Sequence, residues 1–108
     1  MISNELQDGV AAIVIRHRRL AVLRILVHDA SNGSSNDGVL LDVLEDWALG
    51  CTHAALQTCL RHLEQFGFVT TTLINGRMVV RITQEGHEVA IGKAQADGVQ
   101  PYDVNCPY

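Results

Sequence analysis

Hydrophobic residues recur every three or four positions through most of the first 67 residues, and this spacing places them on one face of a helix. The first helix is predicted to begin at Asn4, which can form a capping box with Gln7. The pattern leaves open whether this helix continues to Asp29 or breaks near Arg16. The polar run at 31–36 then predicts a loop. The apolar positions of the first helix are Leu6, Val10, Ile13, Val14, Leu20, Leu23 and Val27.

Two shorter helices are predicted after this loop. Asn36 or Asp37 can cap the second helix, and Gly50 can end it in the left-handed conformation. Thr52 can cap the third helix, which Gly67 ends. Because so few residues separate the two, we expect the compact corner of a helix-turn-helix. Their apolar positions are Leu40, Val43, Leu44 and Trp47, then Leu56, Cys59, Leu60, Leu63 and Phe66.

Between Val69 and Thr83 the period changes to strict alternation, which predicts two strands. Asn75 and Gly76 lie at the centre of this segment, and both tolerate the positive φ of a type I′ hairpin turn. A two-residue turn places Val69 opposite Ile82. We expect the inward face to carry Val69, Thr71, Leu73, Met78, Val80 and Ile82. The largely solvated face would carry Thr70, Thr72, Ile74, Arg77, Val79 and Arg81.

The last predicted element is a short helix that Thr83 caps and Gly92 closes. Residues 94–108 have no sustained period and are predicted to form an extended tail, from which Tyr102 or Val104 can pack on the rest. The predicted fold class is α+β, mostly helical with one β-hairpin, as a single domain over residues 1–93.

Composition fits one globular domain, since the 108 residues are 47% apolar and 19% charged. No apolar run approaches the roughly 20 residues of a spanning helix, so no membrane partner is predicted. The start of the chain lacks the order of a secretory signal, and we expect a cytoplasmic protein. The cysteines Cys51, Cys59 and Cys106 have no paired spacing and are expected to be free thiols.

The segments that flank the predicted hairpin resemble winged helix-turn-helix regulators of the ArsR, MarR and PadR types. They are LRHLEQFGFV at 60–69 and ITQEG at 82–86. A closer resemblance is to small ArsR-like winged-helix proteins of Mu-like phages and prophages. It is carried by RRLAVLRIL at 18–26, Asn36, GHEVAIGK at 86–93, Gly98, Val99 and Pro101. The resemblance implies a winged helix-turn-helix in the order helix, helix, helix, hairpin, helix, and a role in phage gene control.

Candidate DNA contacts follow if the third helix enters a major groove. Gln57 can pair with adenine, and Arg61 can pair with guanine or a phosphate. At the hairpin, Arg77 and Arg81 are candidate phosphate or minor-groove contacts. The alternative for all of these residues is an ordinary solvated surface. The candidate set is His53, Gln57, Thr58, Arg61, Arg77 and Arg81.

The net charge of −4 opposes a nucleic-acid role, but its distribution weakens the objection. Residues 51–83 hold three arginines and only one acid, Glu64. The acids Asp37, Asp42, Glu45 and Asp46 lie together before them, outside the predicted reading surface. We expect the arginines Arg16, Arg18 and Arg19 to pair with the acids of the second helix, and the alternative is contact with flanking DNA phosphates.

The chain has no CxxC or HxxxH pair, no HExxH, no GxSxG and no glycine-rich phosphate loop. These absences predict no metal, no cofactor and no enzyme activity. We therefore expect a double-stranded DNA-binding transcriptional regulator of phage, prophage or bacterial genes, as a homodimer formed through Val10, Ile13 and Val14. The alternative is a winged-helix protein-interaction module in phage assembly or DNA packaging, without DNA binding.

Overall fold

The structure, a computed structural model, describes residues 2–28 and 32–108, with side chains from residue 9 onward. Within these residues the chain has an α+β fold, as predicted. The helices are α1 (Ile2–His28), α2 (Asp37–Asp46), α3 (His53–Gln65) and α4 (Gln84–Ala90). The strands are β1 (Ser34–Asn36), β2 (Val69–Ile74) and β3 (Arg77–Ile82), which form one antiparallel sheet in the order β1-β3-β2.

Helix α1 is continuous, so it does not break near Arg16. It already includes Ile2, ahead of the predicted start at Asn4, and the predicted capping by the Asn4 and Gln7 side chains lies outside the described side chains. Its second half is the centre of the core, where burial is broader than the predicted stripe. The buried residues there are Leu20, Ala21, Val22, Leu23, Ile25 and Leu26.

The first half of α1 extends away from the core. Val10 is 51% exposed, Ile13 47% and Ile15 39%, and only Val14 among their neighbours is half-buried. A helix of 27 residues is about 40 Å long, close to the 44 Å longest dimension of the molecule. Helix α1 is thus nearly as long as the molecule, and its residues 9–15 have little packed around them.

The loop predicted at 31–36 is wrong for its last three residues, which form β1. Ser34 lies opposite Arg81 and Asn36 opposite Val79, so β1 completes the sheet along the free edge of β3. Asn32 and Gly33 both have positive φ, which turns the chain into this strand. A run of serine and asparagine has no strand pattern of its own. The strand forms here because its backbone pairs with β3.

Helices α2 and α3 begin at the predicted caps. Asn36 Oδ1 accepts from the Val39 N–H at 3.0 Å, and Thr52 Oγ1 accepts from the Ala55 N–H at 3.1 Å. The predicted end of α2 at Gly50 is wrong, because the helix stops at Asp46 and Ala48 takes the left-handed conformation instead. The Leu49 N–H donates to Leu44 O at 2.8 Å, and this bond closes the helix two residues early.

The predicted apolar face of α3 is buried at Leu56, Cys59, Leu60 and Leu63 but not at Phe66. Phe66 is the C-cap residue of α3 and is 52% exposed. The helical period therefore holds only up to the last turn, where the backbone leaves the helix.

The hairpin has the predicted register, with Val69 opposite Ile82 and Thr71 opposite Val80. Asn75 and Gly76 both have positive φ, as a type I′ turn requires. Val69 and Val80 are buried, but Leu73 is 71% exposed, so the predicted inward face is wrong at this residue. The alternation places Leu73 on the same face as Val69 and Val80. The hairpin tip extends beyond the elements that bury the rest of this face, so Leu73 stays exposed.

Thr83 caps α4 as predicted, since its Oγ1 accepts from the Gly86 N–H at 3.1 Å. Residues 94–108 contain no helix or strand, and they pack back across α1. Val99 is buried in the core, and the Tyr102 ring lies 4.2 Å from the Arg24 guanidinium carbon. Val104, the other residue expected to pack, is exposed.

The three cysteines are free thiols, and burial raises the pKa of Cys59 to about 12. None of the helices in the described part of the chain is long and apolar enough to cross a membrane. The same residues contain no group of three side chains that could hold a metal ion.

Candidate functional site

The outward face of α3 is open to solvent over its whole length. Ala54, Thr58, Arg61 and Gln65 are exposed, and Gln57 beside them is half-buried. Their spacing of three to four residues puts them on the side opposite the buried leucines. Arg61 is the one permanently charged side chain in this set. The Thr58 hydroxyl donates to Ala54 O at 3.2 Å, which leaves its oxygen lone pairs facing solvent.

The hairpin is fixed to α3 through Glu64. Its carboxylate accepts from the Thr71 N–H at 2.8 Å and from the Thr71 hydroxyl at 2.9 Å. A carboxylate that binds both a backbone donor and a side-chain donor of one strand residue holds that strand in a single orientation. The exposed face of α3 and the start of the hairpin therefore form one rigid surface.

His53, at the first turn of α3, does not extend freely into solvent. Its Nε2 lies 2.9 Å from Asp37 Oδ2, although half of the His53 side chain is exposed. Asp37 is the first residue of α2 and is buried to 9% exposure. The expectation that Asp37 lies outside the candidate surface is wrong, because the fold brings it directly beside α3.

Several donors hold the Asp37 carboxylate in its ionised form. Its pKa is lowered, mainly by the hydrogen bond with His53, while burial acts in the opposite direction. The Gly38 N–H donates to Asp37 Oδ1 at 2.9 Å, and the backbone of Met78 also lowers the pKa. The carboxylate therefore connects the starts of three elements, α2, α3 and β3.

Arg77 bends back from the hairpin tip toward this carboxylate. Its Nη1 lies 3.9 Å from Asp37 Oδ1, with the side chain 65% exposed. The guanidinium rests on Gly38, where a Cβ atom would be 2.4 Å from Nη1. The structure thus joins two predicted site residues, His53 and Arg77, through Asp37, an acid that the sequence analysis placed outside the candidate surface.

Arg81 stands apart from this cluster. It is exposed on the central strand β3, between Ser34 of β1 and Thr70 of β2. It is four positions along β3 from Arg77, which is about 13 Å on the same face of the sheet. Arg81 and Arg61 are the site arginines for which no contact with an acid is described.

The predicted pairing of Arg16, Arg18 and Arg19 with the acids of α2 is wrong, and two of these arginines bind backbone carbonyls instead. Arg18 donates to Leu49 O at 3.0 Å and to Gly50 O at 3.2 Å, and Arg19 donates to Gly98 O at 2.9 Å. No ion pair among residues 9–28 and 32–108 joins them to α2. The carbonyls of irregular segments lack partners of their own and accept readily from a guanidinium.

His62 marks the other edge of the open face of α3, where the C-terminal segment begins to cover the helix. Its Nε2 is buried without a hydrogen-bond partner, as is Arg19 Nε. A Cβ atom at Gly98 would lie 2.9 Å from Arg19 Nη1 and 3.2 Å from His62 Nε2. The pKa of His62 is lowered, first by burial and then by the charge of Arg19.

Sequence reasoning missed Asp37, Gln65 and the covering segment at residue 98. Gln65 continues the outward spacing of Ala54 and Arg61, so the helical period contained that signal. Asp37 follows a cap residue and reads as an ordinary first-turn acid, and nothing local indicates that α3 and β3 converge on it.

The chain matches no family model. It is similar to the protein described as uncharacterized protein gp26 of Escherichia phage Mu, with 30% identity over 88 residues. The aligned region covers 82% of this chain and 90% of gp26. The similarity thus extends across nearly the whole of both proteins, and the chain belongs to the family of gp26 of Escherichia phage Mu.

Proposed function

We propose that the chain is a double-stranded DNA-binding protein with a winged helix-turn-helix architecture, and that it regulates transcription of phage or prophage genes. The observation that carries the proposal is the open face of α3, fixed beside a β-hairpin that bears two arginines. The order of α2, a short turn, α3 and then a hairpin is the order expected of this architecture. The relationship to a phage Mu protein supports the phage context.

The dimensions of α3 suit a major groove. Its 13 residues form a rod about 20 Å long. A B-DNA major groove is about 12 Å wide, which matches the diameter of one helix. In this arrangement Gln57, Thr58 and Arg61 face base edges, and Arg81 faces a phosphate on the flank. The Glu64 contact with Thr71 keeps both surfaces in register.

A homodimer completes the proposal. Residues 9–15 are seven consecutive uncharged, mostly apolar residues on the part of α1 that extends from the core, and a helix that is apolar all round is normally buried. A second copy of α1 in antiparallel orientation would cover it. Two-fold symmetry then presents two α3 helices to one DNA duplex.

The test is fluorescence anisotropy with mixed-sequence duplex DNA at about 50 and 200 mM salt, for the wild type, Arg61→Ala and Arg81→Ala. The log of the binding constant should fall with log salt at a slope of about −0.9 per phosphate contacted. Each variant should bind more weakly with a shallower slope. Lys93→Ala removes one exposed positive charge beyond α4 and should change little.

Absence of DNA binding at low salt would overturn the proposal. The second candidate, a protein-interaction module in phage assembly or DNA packaging, would then be preferred. The exposed apolar residues of α1 and the net charge of −4 are the observations that favour it.

A further inference from the structure

A shallow, largely open surface hollow of about 240 Å³ lies between the hairpin tip, α2 and α3. The residues around it are Asp37, Gly38, Leu41, His53, Gly76 and Arg77. Asp37 is the acid of this set, and His53 and Arg77 are its basic members. Within the described residues, Asp37 is the acid found within 4.0 Å of basic side chains, and it contacts both of them. One carboxylate therefore engages two candidate DNA contacts.

The two contacts differ in strength. The His53 contact is short and involves a carboxylate whose side chain is 12% exposed. The Arg77 contact is long, at 3.9 Å, and the guanidinium is largely in water. Exposed ion pairs of this kind contribute little stability, so Arg77 can leave the carboxylate at low cost.

We propose that Asp37 is an internal competitor of DNA phosphates, which holds Arg77 and His53 away from DNA and lowers the affinity of the hairpin tip. This inference rests on the proposed DNA-binding function and describes how its affinity is limited. A phosphate that approaches Arg77 meets the charge of Asp37 beside it. Because that charge is buried, salt screens it less than a surface charge. Release of Arg77 would add one phosphate contact.

Gly38 offers a second way to open the contact without removing the acid. The Cβ atom of Gly38→Ala would be 2.4 Å from Arg77 Nη1, so the guanidinium must move. That atom is the far end of a long, exposed side chain, and alanine is favourable in a helix. The variant should therefore displace Arg77 and leave Asp37 ionised, while the cap oxygen Asn36 Oδ1, which would be 3.2 Å from the new Cβ atom, moves by a few tenths of an ångström.

The experiment measures DNA affinity and its salt slope for the wild type, Asp37→Asn and Gly38→Ala, each with and without Arg77→Ala. We expect Asp37→Asn and Gly38→Ala each to tighten the dissociation constant about threefold to fivefold. The slope should steepen by about 0.9, the value for one added phosphate. Arg77→Ala should remove this gain in both backgrounds and change the wild type far less.

Asp42→Asn is the matched control, because it removes the same charge from an exposed position of the same helix. It should give less than half of the gain of Asp37→Asn. Circular dichroism checks that each variant is folded. Variants that bind no more tightly than the wild type, or a gain that survives Arg77→Ala, would overturn the inference and leave DNA binding intact. Absence of DNA binding in every protein would overturn the proposed function together with it.

Discussion

Burial of the His62 ring and the guanidinium of Arg19 both oppose its protonation, while the backbone of Asp97 in the C-terminal segment acts in the opposite direction. Its neutral ring fits this position, whereas an imidazolium would add a second positive charge beside Arg19. The pKa is lowered in the folded protein from its ordinary value of 6.5. The packing of the C-terminal segment over α3 should therefore depend on pH through His62.

The sign of this coupling follows from linkage, because the unfolded chain binds the proton more readily than the folded one. The stability contributed by neutral His62 is complete above pH 6.5 and is lost as the pH falls below it toward the lowered pKa. We expect the melting temperature to decrease between pH 7.5 and pH 5.5. His62→Gln cannot take up a proton and should show a smaller decrease. Equal decreases in both proteins would contradict this account.

Asp37 acts in a separate and more acidic window. Because its pKa is lowered in the folded protein, ionised Asp37 stabilises the fold above about pH 3.8, the ordinary pKa of an aspartate. This contribution is lost as the pH falls below that value. The two groups can therefore be distinguished in one titration of stability.

Side-chain roles could be predicted where they are local. The caps Asn36, Thr52 and Thr83 depend on residues three positions away, and the structure confirms all three. Asp37 depends on His53 and Arg77, which are distant in sequence, so its role requires the assembled fold.

Among the elements, α4 crosses the start of β2 at very short range. A Cβ atom at Gly86 would be 2.1 Å from the backbone oxygen of Phe68. That oxygen also accepts from the Thr83 N–H at 3.0 Å, which keeps the strand in place. The backbone cannot give way there as a flexible side chain would.

Gly86→Ala should therefore destabilise the protein by about 1–3 kcal/mol, the usual cost of overpacking. Urea denaturation measures the free energy of unfolding. The control, Gly50→Ala, adds the same methyl group outside the helices and strands, where its nearest atoms would be at ordinary contact distances of 3.4 Å or more, and it should change stability little. Similar effects of the two substitutions would show that the close crossing is not rigid.

The elements that the sequence predicted well have a period long enough to read, such as α3 and the hairpin. Strand β1 has three polar residues and exists through its pairing with β3, so no local pattern announces it. Leu73 shows the opposite limit. The alternation assigns it to the inward face, but at the hairpin tip its side chain is 71% exposed.

At the scale of the whole molecule, the uncovered half of α1 predicts association. The proposed antiparallel dimer places Ile13, 47% exposed in one copy, between two helices. Light scattering after size exclusion should give the mass of two chains at micromolar concentration. Ile13→Asp should give a monomer with an unchanged circular dichroism spectrum.

Val104→Asp is the control for this substitution, because it places the same charge on an apolar side chain that is 86% exposed and lies outside α1. It should remain dimeric. A wild-type protein that is monomeric at high micromolar concentration would exclude the homodimer and leave the DNA surface of a single copy to be tested alone.

The final fifteen residues give the molecule a property that their irregular backbone conceals. Val99 occupies part of the apolar interior, and the Tyr108 ring stacks on Trp47 with centroids 5.5 Å apart. A fragment that ended at residue 93 would therefore lose side chains that line the apolar interior and would expose one side of helix α1 to water. Residues 94–108 are therefore part of the hydrophobic core and not a dispensable tail.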